Sequence, residues 1–235
     1  MIDTIGMTDI GNGRPSNQDA YLLRQQEKNG KLYLLAVVCD GMGGLKKGEI
    51  ASRYIVEVLK QWFDETLFEG LYEMGINMIE QNLIDLIRKI NQNLLLMSRK
   101  MEEVKSMGST LTLLFVEDHE FFVLNVGDSR TYWFDRNRKF VTTDHTLVEL
   151  ELRAGHLTKE QARKDPRRHI LLQCVGVTKD VRVDCYKGRL HPGMEFLLCT
   201  DGFYGLLEEE EIYQVEASRD CLLYTSPSPR DMRRS

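Results

Sequence analysis

Three predicted strands each end at an aspartate, and these side chains are the best candidates for chemistry in the sequence. They are Asp40, Asp128 and Asp201. A carboxylate at the edge of an apolar core is costly unless it is hydrogen-bonded, paired or bound to a cation. One such aspartate is typical of a turn, but three in equivalent positions favour a shared cation. Oxygen ligands without a histidine or cysteine set suit Mg²⁺ or Mn²⁺, and Gly41 would let a backbone carbonyl approach the ion.

A predicted hairpin adds a fourth carboxylate to this group. Residues 28–31, Lys-Asn-Gly-Lys, have the turn chemistry that joins two antiparallel strands, here predicted over residues 20–24 and 33–39. Asp19 and Asp40 lie at the outer ends of these strands. Because antiparallel partners place such ends side by side, we expect the two carboxylates to share one rim.

The remaining periodicities predict a scaffold of helices and paired strands. Apolar residues recur at helical spacing over residues 49–63 and about 75–101, which predicts two helices that pack on a sheet. Residues 145–170 are charged, with a helix cap predicted at Thr158, and favour a solvated insertion. The other predicted segments are a short strand at the start of 4–17, strands at 110–116, 121–126, 131–134 and 196–199, a return to the core at 171–177, and a helix at 206–215.

Composition describes one ordinary globular domain. The 235 residues are 42% hydrophobic and 29% charged, with a formal net charge of -5, which argues against nucleic-acid or membrane-surface binding through bulk electrostatics. No signal peptide and no run of 18 apolar residues is present, so we expect a cytoplasmic protein. The five cysteines form no Cys-x-x-Cys pair and are expected to be buried, reduced thiols.

Several other kinds of site are disfavoured. Residues 41–44, Gly-Met-Gly-Gly, lie between a strand and a helix, but the third glycine of a dinucleotide fingerprint would fall on Lys46, and no phosphate-loop lysine follows. Strands in hairpin-like pairs argue against a doubly wound sheet. The histidines have no metal-ligand spacing, and a serine-nucleophile elbow is absent. Only His145, directly after Asp144, is retained as a residue that could support the site.

Taken together, these segments resemble the bacterial form of the 2C-type metal-dependent serine/threonine protein phosphatases. The resemblance extends from residue 1 to about residue 215 and depends on the order and spacing of seven motifs. They are residues 8–19 (TDIGNGRPSNQD), 39–44 (CDGMGG), 48–52 (GEIAS), 108–111 (GSTL), 126–130 (VGDSR), 143–145 (TDH) and 199–202 (CTDG).

The resemblance implies an α+β fold, a four-layer α-β-β-α sandwich of two antiparallel sheets flanked by helices. It implies two Mn²⁺ or Mg²⁺ ions bridged by Asp40, with the Gly41 carbonyl on one ion and Asp201 on the other. Asp19 would hold metal-bound water, and Asp128 with Asp201 would form a third, weaker site. A hydroxide that bridges the ions would attack phosphoserine or phosphothreonine without a covalent intermediate.

The resemblance also assigns the substrate side of the site. Arg14 would bind the substrate phosphate, for which its planar guanidinium is suited. Gln18 replaces the glutamate of many relatives, so any water-mediated metal contact there would use a neutral amide. Met42 replaces a histidine proposed as general acid in some eukaryotic relatives. The partners implied are phosphorylated proteins and a cognate serine/threonine kinase, and we expect a monomer.

The C-terminal part departs from the family pattern. The family ends with an Asp-Asn pair whose aspartate completes the first metal site, and no Asp-Asn occurs after Asp201. Residues 220–235 change abruptly to a Pro/Ser/Arg-rich sequence. We therefore expect a catalytic domain at 1–219 that is incomplete at its C-terminus, a non-native or disordered tail at 220–235, and impaired activity of the chain as written.

Two other functions remain open from the sequence. One is a catalytically inactive phosphatase-like regulatory module, which the missing aspartate favours. The other is a phosphoesterase that acts on small molecules with the same site chemistry. The retained Arg14, Asp40, Asp128 and Asp201 favour the protein phosphatase, and the insertion at 145–170, which corresponds to the family's mobile flap, is expected to influence substrate choice.

Overall fold

The computed structural model describes residues 2–11, 16–43, 47–100, 107–135, 138–205, 207 and 211–212. The strands are β1 (Asp19–Lys28), β2 (Lys31–Met42), β3 (Gly108–Ser109), β4 (Leu111–Glu117), β5 (Glu120–Val126), β6 (Arg130–Asp135), β7 (Arg138–Val141), β8 (Asp184–Arg189) and β9 (Glu195–Cys199). The α-helices are α1 (Lys47–Gln61), α2 (Ile76–Lys100), α3 (Leu147–Arg153), α4 (Lys159–Lys164) and α5 (Asp201–Tyr204). A π-helical turn (Trp62–Thr66) and 3₁₀ turns (Leu71–Met74 and Pro166–His169) complete the helical elements.

Two antiparallel sheets form the centre of the fold. The larger sheet has the order β1-β2-β4-β5-β8, with β3 paired to the end of β2, and the smaller sheet has the order β7-β6-β9. Every strand pair in both sheets is antiparallel. The predicted architecture of two antiparallel sheets flanked by helices is confirmed.

The alternation of side chains along β2 explains why the larger sheet is covered on both faces. Leu35 and Val37 point to one side and belong to a core cluster shared with α1 and α2. Leu34 points to the other side and joins a cluster that contains Trp133 of the smaller sheet. On the outer face of the smaller sheet, Tyr132 packs with Phe203 of α5. The layers are therefore helix, sheet, sheet and helix.

The two long helices follow the predicted apolar stripes. Helix α1 buries Ile55 and Leu59, and α2 buries Leu83, Ile87 and Leu94. The prediction for the first helix ran two residues beyond Gln61, where the chain changes to the π-helical turn. No helix within the described residues is both long and apolar enough to cross a bilayer.

The insertion that lies between β7 and β8 in the chain was also predicted well. Helix α4 leaves five of its six residues exposed, whereas α3 exposes two of its seven, and Thr158 caps α4 in a reciprocal capping box with Gln161. After the insertion, Cys174 and Val175 return to the core as expected. The four described cysteines are all free thiols, and Cys39, Cys174 and Cys199 are buried.

The predicted strand at the start of residues 4–17 was wrong. Residues 2–11 have no strand structure, and the side chains of Ile5 and Met7 are 62% and 69% exposed. A strand needs a neighbour for its backbone hydrogen bonds, and none of the named strands pairs with this segment. Of the helix predicted at 206–215, the structure describes helical backbone at 211–212, and the remainder lies outside the described residues apart from residue 207.

Candidate active site

The β1–β2 hairpin places Asp19 beside Asp40. Its two-residue turn, Asn29 and Gly30, has φ values of 52° and 76°, which is the left-handed geometry of a tight hairpin. Continuing from this turn, the strand register pairs Asp19 with Asp40 directly. The hairpin and the juxtaposition predicted from sequence are therefore confirmed.

Asp201 reaches the same place from the smaller sheet. It begins α5 directly after β9 and Thr200. The Thr200 hydroxyl donates a 2.9 Å hydrogen bond to Oδ2 of Asp19, and the negative charge of Asp201 is close enough to raise the pKa of Asp40. The His169 Nδ1 atom lies 3.9 Å from Oδ2 of Asp201, at the edge of the insertion.

Asp128 follows β5 through a turn that His145 holds in place. Gly127 has φ 100°, a conformation that favours glycine. His145 accepts a hydrogen bond from the Gly127 N–H at Nδ1 (3.3 Å) and donates its own backbone N–H to the Gly127 carbonyl (2.9 Å). Its Nε2 atom lies 3.1 Å from Oδ2 of Asp184. His145 thus supports the turn that presents Asp128, as the sequence suggested.

The main chain of Asp40 is clamped by hydroxyl side chains of the β3–β4 segment. Its N–H donates to Oγ1 of Thr110 (2.9 Å), and its carbonyl accepts from Oγ of Ser109 (2.9 Å). The Thr110 hydroxyl also bonds to that of Ser129, at 2.6 Å. Since Ser129 follows Asp128 in the chain, this bond connects the backbone of Asp40 to the turn of Asp128.

Gly41 is required by close packing between β2 and α1. A Cβ atom at Gly41 would lie 2.1 Å from the carbonyl oxygen of Gly48 and 2.8 Å from that of Gln18. The Gln18 carbonyl accepts bonds from the Gly41 N–H (3.0 Å) and the Ser52 hydroxyl (2.7 Å). The structure therefore gives Gly41 a packing role beside the metal contact that the resemblance implies.

Asp19, Asp40, Asp128 and Asp201 form the rim of the candidate site, and this rim carries an excess of negative charge. Burial is the largest cause that raises the pKa of Asp40 to about 9, followed by the negative charges of Asp19, Asp201 and Asp128 in that order. Burial likewise raises the pKa of Asp128 to about 7, with Asp201 the next largest influence. Such shifts mean that the ionised carboxylates repel one another, which a bound cation would relieve.

The donor set of this rim fits hard divalent cations. All of its candidate ligands are oxygen atoms, from Asp19, Asp40, Asp128, Asp201 and the Gly41 backbone. Within the part of the chain that the structure describes, no group of three or more His, Cys, Asp or Glu side chains is placed so that it could hold a metal ion. That is the ordinary situation for Mg²⁺, which uses one or two carboxylates and keeps several waters. The residues thus fit a cation whose remaining ligands are water.

Some predicted residues lie outside the described part of the chain. Arg14 is one, and so are residues 220–235. For Gln18 the structure gives main-chain contacts, so its water-mediated metal contact remains a prediction. Sequence reasoning missed Thr200, which binds Asp19, and Tyr204, whose hydroxyl donates to the Asp128 carbonyl at 2.7 Å. Their proximity to Asp201 in sequence was the only available signal.

Comparison with known proteins identifies the family. The family model described as Protein phosphatase 2C matches residues 5–227. The serine/threonine phosphatase stp of Listeria monocytogenes serotype 4b is 32% identical over 216 residues, which are 92% of this chain and 83% of that protein. Protein phosphatase PhpP of Streptococcus pneumoniae is 29% identical over 214 residues, 90% of this chain and 83% of that protein.

Solved structures agree with this family. The serine/threonine phosphatase Stp1 of Staphylococcus aureus superposes with a TM-score of 0.78 at 32% identity, over 88% of this chain and 78% of that one. The catalytic domain of PstP, solved in complex with two manganese ions, shares the fold with a TM-score of 0.73 at 22% identity, over 96% of this chain and 86% of that one. The chain belongs to the protein phosphatase 2C family, and the resemblance noted in the sequence is confirmed.

Proposed function

We propose that this protein hydrolyses phosphoserine and phosphothreonine in other proteins at the rim that Asp19, Asp40, Asp128 and Asp201 form. The observation that carries the proposal is the convergence of these carboxylates around Asp40, whose pKa each of the other three raises. Such a cluster requires a cation to remain ionised at neutral pH. One relative is named a serine/threonine phosphatase and another a protein phosphatase, which supports the same reaction and phosphoprotein substrates for this chain.

Within this proposal, Asp40 and Asp201 are the catalytic ligands and two Mn²⁺ or Mg²⁺ ions are the cofactors. Asp40 would contact both ions, with Asp201, Asp19 and the Gly41 carbonyl completing the protein ligands, and Asp128 with Asp201 would hold a third. The two manganese ions of the PstP structure support this number of ions. When bound, divalent cations supply Lewis acidity and lower the pKa of bound water, so that a nucleophile exists at neutral pH.

Hydrogen bonds from neighbouring residues hold the proposed ligands in position. The Thr200 hydroxyl fixes one oxygen of Asp19, and the bonds from Ser109 and Thr110 fix the backbone of Asp40. Burial and the surrounding carboxylates raise the pKa of Asp40, so this residue must release its proton before it can act as a ligand. Arg14 would bind the phosphoryl oxygens of the substrate in bidentate fashion.

The same proposal extends to the biological setting. A serine/threonine kinase that phosphorylates the substrates would be the counterpart of this enzyme, and the cytoplasm would be the compartment, with the enzyme acting as a monomer.

The decisive experiment compares two substrate classes in the presence and absence of Mn²⁺. Turnover of a phosphothreonine peptide and of p-nitrophenyl phosphate is measured for the wild type, Asp40→Asn, Asp201→Asn and the control Asp85→Asn. Asp85 is an exposed residue of α2 that pairs with Arg88, so its variant should behave as the wild type. We expect Mn²⁺-dependent turnover that favours the peptide and is nearly abolished in Asp40→Asn and Asp201→Asn.

Each alternative predicts a different result. An inactive regulatory module would bind the phosphopeptide without turnover in the wild type. A small-molecule phosphoesterase would favour p-nitrophenyl phosphate over the peptide. Full activity of Asp40→Asn on the peptide would refute the assignment of the site.

A further inference from the structure

Arg130 lies at the junction of the two segments that present Asp128 and Asp201. It begins β6 two residues after Asp128, and the strand register pairs it with Cys199 of β9, two residues before Asp201. The residue is therefore near Asp128 along the chain and near Asp201 across the strand pair, without being one of the proposed metal ligands. The contacts of its side chain connect the segment of Asp128 with that of Asp201.

The guanidinium of Arg130 is held by three different groups. It makes a bidentate pair with Asp144, in which Nε lies 2.8 Å from Oδ1 and Nη2 lies 2.7 Å from Oδ2. Its Nη1 atom donates to the Tyr132 hydroxyl at 2.9 Å. Its central carbon also lies 3.8 Å from the centroid of the Tyr204 ring. A fork of two hydrogen bonds with an aromatic stack fixes both the position and the plane of the group.

Tyr204 transmits this fixed position to the aspartates. It is the last residue of α5, the short helix that Asp201 begins, and its hydroxyl donates to the backbone carbonyl of Asp128 at 2.7 Å. One ring therefore contacts Arg130 through its face, Asp128 through its hydroxyl, and Asp201 through the helix backbone. Displacement of the ring would change the separation between Asp128 and Asp201.

A lysine could not replace Arg130 in this arrangement. Its ammonium group would keep the charge, but it cannot form the two parallel bonds to Asp144 and cover the Tyr204 ring at the same time. Fixed geometry matters here because groups that hydrogen-bond to metal ligands commonly change metal affinity or activity 10–100-fold when they are replaced.

We propose that Arg130 is a positioning residue, which sets the separation of Asp128 and Asp201 through its stack on Tyr204 and its bidentate pair with Asp144. This inference rests on the proposed function, because it assumes that the two aspartates act on cations. Because its guanidinium is engaged by Asp144, Tyr132 and Tyr204, we assign Arg130 no contact with the substrate. Its replacement should therefore lower kcat and Mn²⁺ affinity and leave KM for the peptide nearly unchanged.

The test uses Arg130→Lys, Tyr204→Phe and the double variant, with Arg88→Lys as control. Tyr204→Phe keeps the ring under Arg130 and removes only the bond to Asp128. Arg88 forms an exposed pair with Asp85 on α2, so its replacement is a matched Arg-to-Lys change away from the site. Mn²⁺ binding is measured by electron paramagnetic resonance, and phosphopeptide kinetics are measured at a temperature at which each variant remains folded.

We expect Arg130→Lys to reduce Mn²⁺ affinity and kcat by about 10–100-fold, and Tyr204→Phe to reduce them by a smaller factor, with KM within about twofold of the wild type. In the double variant, the fold loss of Mn²⁺ affinity and of kcat should be smaller than the product of the two single losses. The reason is that Arg130 and Tyr204 both act through the bond from the Tyr204 hydroxyl to the Asp128 carbonyl. Unfolding of a fraction of the chains would also lower the apparent kcat at unchanged KM, so the Mn²⁺ affinity of variants shown to be folded and the coupling between the two substitutions are the measurements that identify a positioning role.

Wild-type Mn²⁺ affinity and kcat in both single variants, with Asp40→Asn inactive, would overturn the role of Arg130 and leave the proposed function intact. If Arg130→Lys does not fold, Tyr204→Phe decides in the same way. Full activity of Asp40→Asn would overturn the proposed function and, with it, this inference.

Discussion

Replacement of Asp40 by asparagine should stabilise the metal-free protein while it abolishes catalysis. In the folded protein without metal, burial and the neighbouring aspartates raise the pKa of Asp40 to about 9. In the unfolded chain the pKa of an aspartate is about 4. Between these values the folded state binds a proton that the unfolded state has released, so the free energy of unfolding falls as pH rises.

The size of this effect follows from linkage. One such group lowers the free energy of unfolding by at most about 1.4 kcal/mol per pH unit. From pH 5 to pH 7 the upper limit is about 2.7 kcal/mol, and we expect about 1–2 kcal/mol because Asp40 is only half-buried and solvent screens part of the repulsion. Asparagine has no proton to release. The advantage of Asp40→Asn over the wild type should therefore grow by this amount across the interval.

Urea unfolding in EDTA at pH 5, 6, 7 and 8 measures this difference directly. Asp85→Asn removes an exposed carboxylate of α2 and serves as the control, which should remain parallel to the wild type. Parallel stability curves for Asp40→Asn and the wild type would refute the reasoning, as would a variant whose disadvantage increases with pH. Either result would mean that burial and the neighbouring carboxylates do not raise the pKa of Asp40 in the folded protein.

Three further substitutions test other parts of the site. Arg14→Ala should raise KM for a phosphothreonine peptide by about tenfold with a smaller change in kcat, since one charge-assisted phosphate contact is lost; steady-state kinetics would contradict this if KM were unchanged. Gly41→Ala should lower the free energy of unfolding by at least about 2 kcal/mol, because the added Cβ would lie 2.1 Å from the Gly48 carbonyl oxygen. In urea unfolding, Gly202→Ala is the control, since its Cβ would lie 3.7 Å from Thr200 Oγ1, and equal stability of the two variants would argue against the close packing. Thr200→Val should weaken Mn²⁺ binding by roughly tenfold through loss of the bond to Asp19, and calorimetric titration that gives wild-type affinity would exclude this role.

The sequence predicted elements whose signals are local. The Asn29-Gly30 turn determined the hairpin, and because the register follows from the turn, it also predicted the pairing of Asp19 with Asp40. Helix α2 was predicted to within about a residue because its apolar stripe is long and regular. Thr158 was identified as a helix cap for the same reason, since a capping box spans only four residues.

What the sequence could not predict depends on contacts between distant segments. The Thr200 bond to Asp19 joins residues 181 positions apart, and no periodicity indicates it. The stack of Arg130 on Tyr204 depends on how β6 and α5 approach each other. The prediction of a strand near the N-terminus failed for a related reason. The sequence predicted a short strand at the start of residues 4–17, but Ile5 and Met7 are exposed and residues 2–11 have no strand structure.

The packing role of Gly41 is a further example. From sequence, the glycine after Asp40 suggested only that a carbonyl could approach a cation. In the structure it also allows the start of α1 to pack on the end of β2. The two roles are compatible, and a substitution at this position would disturb both.

The most direct test of the proposed site is the count of Mn²⁺ ions bound to the wild type and to Asp40→Asn at pH 7.5, measured by equilibrium dialysis with metal analysis. If Asp40 contacts two ions, the wild type should bind at least two per chain, and Asp40→Asn should lose both at the concentration that saturates the wild type. Asp85→Asn should bind as the wild type does. An Asp40→Asn variant that binds two ions with wild-type affinity would contradict the assignment of this rim as the metal centre of a phosphatase.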